Sequence, residues 1–234
     1  MSDIELKLLA SGRDGDIFEF APGLVLRRTR DGRSIVHEAR TMTYAAEQGY
    51  PVPHIEEVRA GGTEIVMERI DGPLMVDAMV RPPWKLFEHL RLLADLHDRL
   101  HQIPGPDWLP PMPGGGDRLL HLDLHPLNVI MSPRGPVVID WPNARRGEAM
   151  ADVAVTYALV TCGRIPLPRP VAAALGTVRT PLVRRAFATR YLGPEFYRSV
   201  EVMAALKCFD ENMAPDEIRA LQRLARWAAA KAPG

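Results

Sequence analysis

The 234-residue sequence predicts an α+β protein, with a small lobe built on an antiparallel sheet followed by a larger, mainly helical lobe. Three observations predict it. The first seventy residues hold short β-rich runs separated by Pro-Gly and Gly-Gly turns. Helical periodicity takes over from Trp84. One apolar hairpin with polar ends, HLDLHPLNVIMSPRGPVVIDW from His121 to Trp141, interrupts the helices.

The elements follow in order. Ile17–Phe20 and Leu24–Arg28 are β-rich and flank Pro22-Gly23, which reads as a hairpin. A helix is expected from Ser34, as its N-cap, to Gln48, with Gly49 as its stop. Residues 51–60 and 61–70 give two more strands around Gly61-Gly62. Gly72 and Pro73 break the pattern and mark a lobe boundary, so that residues 1–70 form one lobe and 73–234 the other. From Trp84 to His101, Leu86, Leu90, Leu93, Leu96, His97 and Leu100 recur at three- and four-residue steps, one apolar helix face ended by Pro104 and Pro106. The loop to Asp117 is rich in Pro and Gly. After the hairpin, helical segments run to the end, the last over about 215–231.

Composition narrows the class. A hydrophobic content of 47% with 25% charged residues is that of a folded globular chain, which excludes wholesale disorder. The net charge of zero argues against a nucleic-acid or membrane-surface protein. That balance conceals an asymmetry: residues 160–234 carry 12 Lys/Arg against 6 Asp/Glu, a net of +6. Two cysteines, Cys162 and Cys208, are too few for a disulfide framework and suit a reducing cytoplasm. The N-terminus lacks the long apolar core of a signal peptide, and no apolar run approaches the ~18 residues of a membrane span, so a cytoplasmic protein is expected.

The hairpin carries the chemistry. If Val129–Met131 and Val137–Ile139 pair antiparallel about Arg134, then 131 faces 137, 130 faces 138 and 129 faces 139. Extending that register sets Asn128 opposite Asp140, with Cβ atoms ~4.5–5.5 Å apart. An amide oxygen and a carboxylate at one hairpin end suit Mg²⁺, which takes one or two carboxylates and completes its shell with phosphate and water. Asp123, in the entering loop, could accept a proton from a substrate hydroxyl while the metal handles phosphate charge. Three other readings stand beside this one. Asp and Asn also favour hairpin ends for turn chemistry alone. His121-x-Asp123-x-His125 could bind zinc, although Asn128 suits zinc poorly. His97 and His101, one helical turn apart, could be ligands too. With no carboxylate evident near them in the sequence, they read as a core and a helix-end histidine.

The string His121-x-Asp123-x-x-x-x-Asn128, with Ile139-Asp140-Trp141 twelve residues on, resembles the aminoglycoside phosphotransferase and choline kinase-like family. HxDxxxxN is also the protein-kinase catalytic-loop pattern. Residues 147–154 resemble the family's stretch after the metal-binding Asp, LLADLHDRLHQIP its LAxLH helix, and Met67–Gly72 its inter-lobe linker. The resemblance spans about residues 10–160 and implies a two-lobed protein-kinase-like fold. The N-terminal lobe would bind nucleotide and the C-terminal lobe would bind the acceptor. It implies ATP and Mg²⁺ as cofactors, Asp123 as catalytic base or hydroxyl-orienting group, and Asn128 and Asp140 as metal ligands. Met67, Glu68, Arg69 and Ile70 would offer backbone groups to the adenine, and Asp152 would brace the catalytic loop, with His121 supporting it. Glu38 would match the helix glutamate that pairs with a phosphate-binding lysine. That lysine position is held by Arg27, which strand alternation places on the same face as Val25, with Arg28 opposite. The loop Ser11–Phe18 has Gly12 and Gly15 but not GxGxxG, and Leu122 stands where the family has glycine.

The implied partner is a small-molecule hydroxyl acceptor, in a pocket built largely after Tyr157. An aminoglycoside, as a polycation, calls for an acidic pocket, and the +6 balance of residues 160–234 points away from that class. A non-catalytic nucleotide-binding pseudokinase is the alternative. Retention of Asp123, Asn128 and Asp140 favours catalysis.

Overall fold

Alternating apolar and polar residues between Leu8 and Glu68 pair into one antiparallel sheet in a computed structural model, which describes residues 6–12, 15–80, 85–164, 169–191 and 193–232. The strands are β1 (Leu8–Ser11), β2 (Gly15–Ala21), β3 (Leu24–Thr29), β4 (Ile55–Arg59) and β5 (Glu64–Glu68), in the order β1-β2-β3-β5-β4. β1, of sequence LLAS, is exposed along its whole length and lacks the apolar–polar alternation that announces a half-buried strand. Arg13 and Asp14, in the loop read for glycines, lie outside the described residues, as does Trp84.

Helix α1 (Val36–Glu47) crosses this sheet and buries Ala39 with Ile35 against Ile65, with Ile55 and Met67 at the margin. The expected N-cap, Ser34, is replaced by Ile35, which makes no side-chain cap; Ser34 Oγ accepts the Val36 N–H at 3.4 Å. The backbone reason is that Ile35 N–H is used by Gly62 O at 2.7 Å, which ties the helix entry to the β4–β5 turn. Gly49, at φ +76°, ends the helix as expected.

The described residues divide into two compact units, Met1–Leu74 with Asn128–Ala144, and Met75–Leu127 with Arg145–Gly234. The hairpin strands β7 (Val129–Ser132) and β8 (Gly135–Val138) therefore group with the first unit, whereas the sequence reading kept all of 73–234 together. Their attachments are local: Val138 N–H donates to Pro51 O at 2.7 Å, Met131 N–H donates to Pro73 O at 2.8 Å, and Trp141 meets Tyr50 edge-on at 5.8 Å.

The second unit begins with α2 (Met75–Val80), followed by α3 (Leu86–Leu100), which buries the predicted face from Leu90 onward with His89 and Ala94 added, Leu86 being half-buried. β6 (Arg118–Leu120) pairs with β9 (Arg145–Gly147), two strands of three residues each, too short to leave a sequence period. Helices α4 (Ala149–Cys162), α5 (Arg169–Tyr191), α6 (Pro194–Lys207) and α7 (Pro215–Ala229) complete it. Tyr157 of α4 is their packing centre, against Phe187 of α5, Phe196 of α6 and Trp227 of α7. No helix among the described residues is long and apolar enough to cross a membrane.

Candidate active site

In the first unit, strand alternation turns Arg27 toward α1, where it pairs with Glu38. Arg28 on the opposite face pairs with Glu64 at 2.6 Å. The same Arg27 guanidinium reaches Asp140, Nη2 to Oδ1 at 3.4 Å, and Glu38 Oε1 also accepts the Trp141 N–H at 3.3 Å. Glu38 is 2% exposed, and its Oε2 has no hydrogen bond among the described residues. Burial pushes this carboxyl's pKa up; Arg27 opposes the shift and Asp140 adds to it.

Asp140 reaches this cluster through its backbone. Its φ of +68° lies in the left-handed region, which aspartate tolerates better than most residues. The hairpin register differs from the expected one. Val129 faces Val138, Ile130 faces Val137 and Met131 faces Pro136, because the turn is the two-residue Pro133-Arg134 with Gly135 (φ +112°) opening the return strand. Asn128 is therefore opposite Ile139, whose N–H it accepts at 3.0 Å, and not opposite Asp140. A slip of one residue exchanges sheet faces. Asn128 is 7% exposed at the end of the short 3₁₀ turn Pro126–Asn128.

In the linker stretch, Glu68 N–H donates to His54 O at 2.8 Å and Arg69 N–H to Gly23 O at 2.9 Å. Arg134 meets the Glu68 carboxylate at 2.7 Å; burial would raise that pKa, but this bond and the His54 N–H hold it below its ordinary value. The Arg69 side chain bonds Asp71 at 2.9 Å. Met67 lies within β5, facing Val25 and Ile55.

The second unit holds Asp123 and its loop. Asp152, fully buried on α4, accepts the backbone N–H of Leu122 at 2.7 Å and of His121 at 3.1 Å, and the His101 Nε2–H at 3.0 Å. His101 and His97 thus do have a carboxylate neighbour, 51 residues away from His101 in sequence, which corrects their reading as unpartnered histidines. Burial would raise the Asp152 pKa, but the His101 hydrogen bond and the two imidazoles outweigh it and hold the carboxyl well below its ordinary value. The Thr156 hydroxyl donates to Leu124 O at 2.6 Å, so its oxygen accepts from His97 Nε2 at 2.8 Å. His97 Nδ1 then faces Asp152 at 3.6 Å, and burial lowers the His97 pKa.

The ligand atoms of His97, His101 and Asp152 come within 4.8 Å of one another. Both Asp152 oxygens already accept protein N–H groups, which makes the cluster a brace for the loop. The zinc alternative, His121 with Asp123 and His125, does not gather in the same way. The His121 side chain is fully buried, while Asp123 and His125 are 21% and 20% exposed. Leu122 takes φ +60°, the left-handed conformation natural to glycine.

Asp123 has two close neighbours, His125, which the sequence reading grouped with it, and Lys207, which that reading missed. Asp123 Oδ1 lies 3.7 Å from Lys207 Nζ and 3.7 Å from His125 Nε2. Lys207 closes α6 and is bonded to Asp210 at 2.8 Å. Asp210 belongs to an acidic stretch that reads as a loop, and the separation of 84 positions between Asp123 and Lys207 leaves no spacing signal.

The donor set fits a hard divalent cation. Asp140 carries a partly exposed carboxylate, its side chain 38% accessible, and Asn128 an amide oxygen; such oxygens suit Mg²⁺ better than zinc.

Residues 107–201 match the model of the phosphotransferase enzyme family. The resemblance read from the sequence holds, and the fold is protein-kinase-like. Similar solved structures include an aminoglycoside 3'-phosphotransferase of type VIII, at 16% identity and TM-score 0.57, covering 95% of this chain and 93% of that one. A ternary complex of the phosphotransferase APH(2'')-IIa with streptomycin and ATP is 14% identical, with TM-score 0.55 and coverage of 95% and 91%. A choline/ethanolamine kinase family protein from Mesorhizobium loti is 16% identical, with TM-score 0.51 and coverage of 97% and 88%. No curated protein matches the chain. These neighbours, at 14–16% identity, show the fold.

Proposed function

We propose that the protein moves the γ-phosphate of ATP, with Mg²⁺, to a hydroxyl of a small molecule that is not a polycationic aminoglycoside. The observation that carries this reading is the Arg27–Glu38–Asp140 cluster. It joins the cation at the family's lysine position, its helix glutamate and the carboxylate of the Ile-Asp-Trp motif, three residues that the resemblance assigned to phosphate and metal.

In this reading the acceptor hydroxyl donates its proton toward Asp123, whose carboxylate orients the oxygen for attack. Asp152 holds the Asp123 loop through the His121 and Leu122 N–H groups. Asn128 and Asp140 would hold Mg²⁺, which when bound neutralises phosphate charge. Arg27 would supply a planar two-pronged contact to phosphate oxygens, anchored by Glu38. With the Glu68 and Arg69 N–H groups used within the fold, the Met67–Ile70 stretch would meet the adenine through its carbonyl oxygens and Ile70.

A non-catalytic nucleotide-binding protein is the second reading. It is favoured by the Arg27 contact to Asp140, which puts a cation on the carboxylate meant for the metal. Mg²⁺-dependent ATP turnover against a panel of alcohols separates the two. The kinase reading expects Asp123→Ala to lower kcat by ~10²-fold or more and Asp140→Ala to abolish Mg²⁺ dependence. ATP binding without turnover on any alcohol would establish the second reading instead.

A further inference from the structure

Lys207 is the last residue of α6, and its ammonium lies between two carboxylates. Nζ is 2.8 Å from Asp210 Oδ2 and 3.7 Å from Asp123 Oδ1. Asp210 is fixed in turn, because its Oδ1 accepts the Asn212 backbone N–H at 2.9 Å. The three side chains are only 17%, 21% and 25% exposed, so their charges are less screened than those of a surface pair. His125 Nε2 approaches the same Asp123 oxygen from its own loop.

An ammonium held between two carboxylates, one of them placed to receive a substrate hydroxyl, is how a site would hold an amino alcohol. Here the chain supplies that cation itself. We propose that Lys207 fills the ammonium subsite beside Asp123 and so selects acceptors whose reacting hydroxyl has no neighbouring amine: neutral or anionic alcohols, not amino alcohols. The proposal rests on the reading of Asp123 as the hydroxyl-receiving group. A second ammonium entering this space would meet Lys207 with both carboxylates already engaged, whereas a hydroxyl or an anionic substituent could accept a remaining Nζ–H. The +6 balance of residues 160–234 acts in the same direction at longer range.

The test uses the full chain and two cyclitol probes, 2-deoxystreptamine, which carries two amines, and myo-inositol, its all-hydroxyl counterpart. By titration calorimetry, the unmodified protein is expected to bind the diamine no more tightly than inositol. Lys207→Ala should bind the diamine at least tenfold more tightly than the parent and bind inositol no more tightly than the parent does, and Lys207→Arg should behave as the parent. Ethylammonium chloride should raise the melting temperature of Lys207→Ala above its value in equimolar sodium chloride, and have no such effect on the parent. This second readout also shows whether the variant folds. A tenfold preference of the parent for the diamine, or no gain in Lys207→Ala, overturns the proposal. Loss of the kinase reading is scored separately, by the absence of ATP turnover, and leaves the cyclitol comparison intact.

Discussion

Leu122 pairs an unfavourable backbone with a favourable side chain. At φ +60° a β-carbon costs ~1–2 kcal/mol, yet the side chain is 91% buried and recovers about that much in apolar contact. Truncation separates the two effects. Leu122→Gly and Leu122→Ala both lose the burial, but glycine also relieves the strain, so Leu122→Gly should be the more stable variant by about 1 kcal/mol, the reverse of the usual order. Urea unfolding of the two variants measures it; an alanine variant equal to or above the glycine variant would contradict the account. Arg27 shows a related substitution of chemistry at a fixed place. Its guanidinium touches Glu38 through Nη1 and Asp140 through Nη2, so one planar fork serves both carboxylates.

Among the elements, the hairpin is held to its unit at a point where there is no room for a side chain. A β-carbon on Gly72 would sit 2.3 Å from Met131 O, next to the Met131–Pro73 hydrogen bond and the Leu74–Ile130 bridge. Gly72→Ala should therefore push β7 away and cost about 2 kcal/mol or more, read as a lowered denaturation midpoint with faster hydrogen exchange at Met131. The α3–α4 brace makes a pH prediction. The folded state depresses the His97 pKa below 6.5, so below that pH the unfolded chain binds a proton that the fold resists, and stability falls as the solution is acidified. Asp152, with its pKa well below 3.8, keeps its contribution above that pH and loses it only as pH falls through the lowered value. Melting temperatures between pH 7.5 and 5 should decline, and His97→Gln should flatten the decline; an unchanged slope in the variant would rule His97 out as its source.

The same elements show what the sequence discloses. The α3 face was legible because its period runs over four turns, and the Arg27–Glu38 pair because strand alternation allows one arginine and not its neighbour. The β7–β8 register was not, since a two-residue and a three-residue turn are both compatible with SPRGP, and a single residue decides which side chains face each other. β6, β9 and α2 are shorter than any period that could reveal them. Asp152 was legible by resemblance, but its His101 partner and the Lys207 contact to Asp123 arise from tertiary packing across 51 and 84 residues.

At the scale of the whole molecule, the asymmetry of charge and the division into units matter most. The helical segments after residue 160 are net cationic, and one of those cations is placed against Asp123. The first unit is assembled from two separated stretches, Met1–Leu74 and Asn128–Ala144. A fragment of residues 1–74 lacks Trp141 against Tyr50, the Val138 bond to Pro51, and Asp140 beside Arg27. It should show no cooperative thermal transition, whereas the full chain should; a cooperative melt of the fragment would show that the sheet and α1 suffice.

That division also sets a schedule for synthesis. Although its sheet is translated first, the N-terminal unit cannot close until residue 144 has left the ribosome, by which time the whole of α3 is available to fold. Until then the apolar surface awaiting the hairpin, Tyr50 included, is open to solvent and to other chains. The interval is a window for chaperone capture during translation, and slow codons placed before the hairpin would lengthen it.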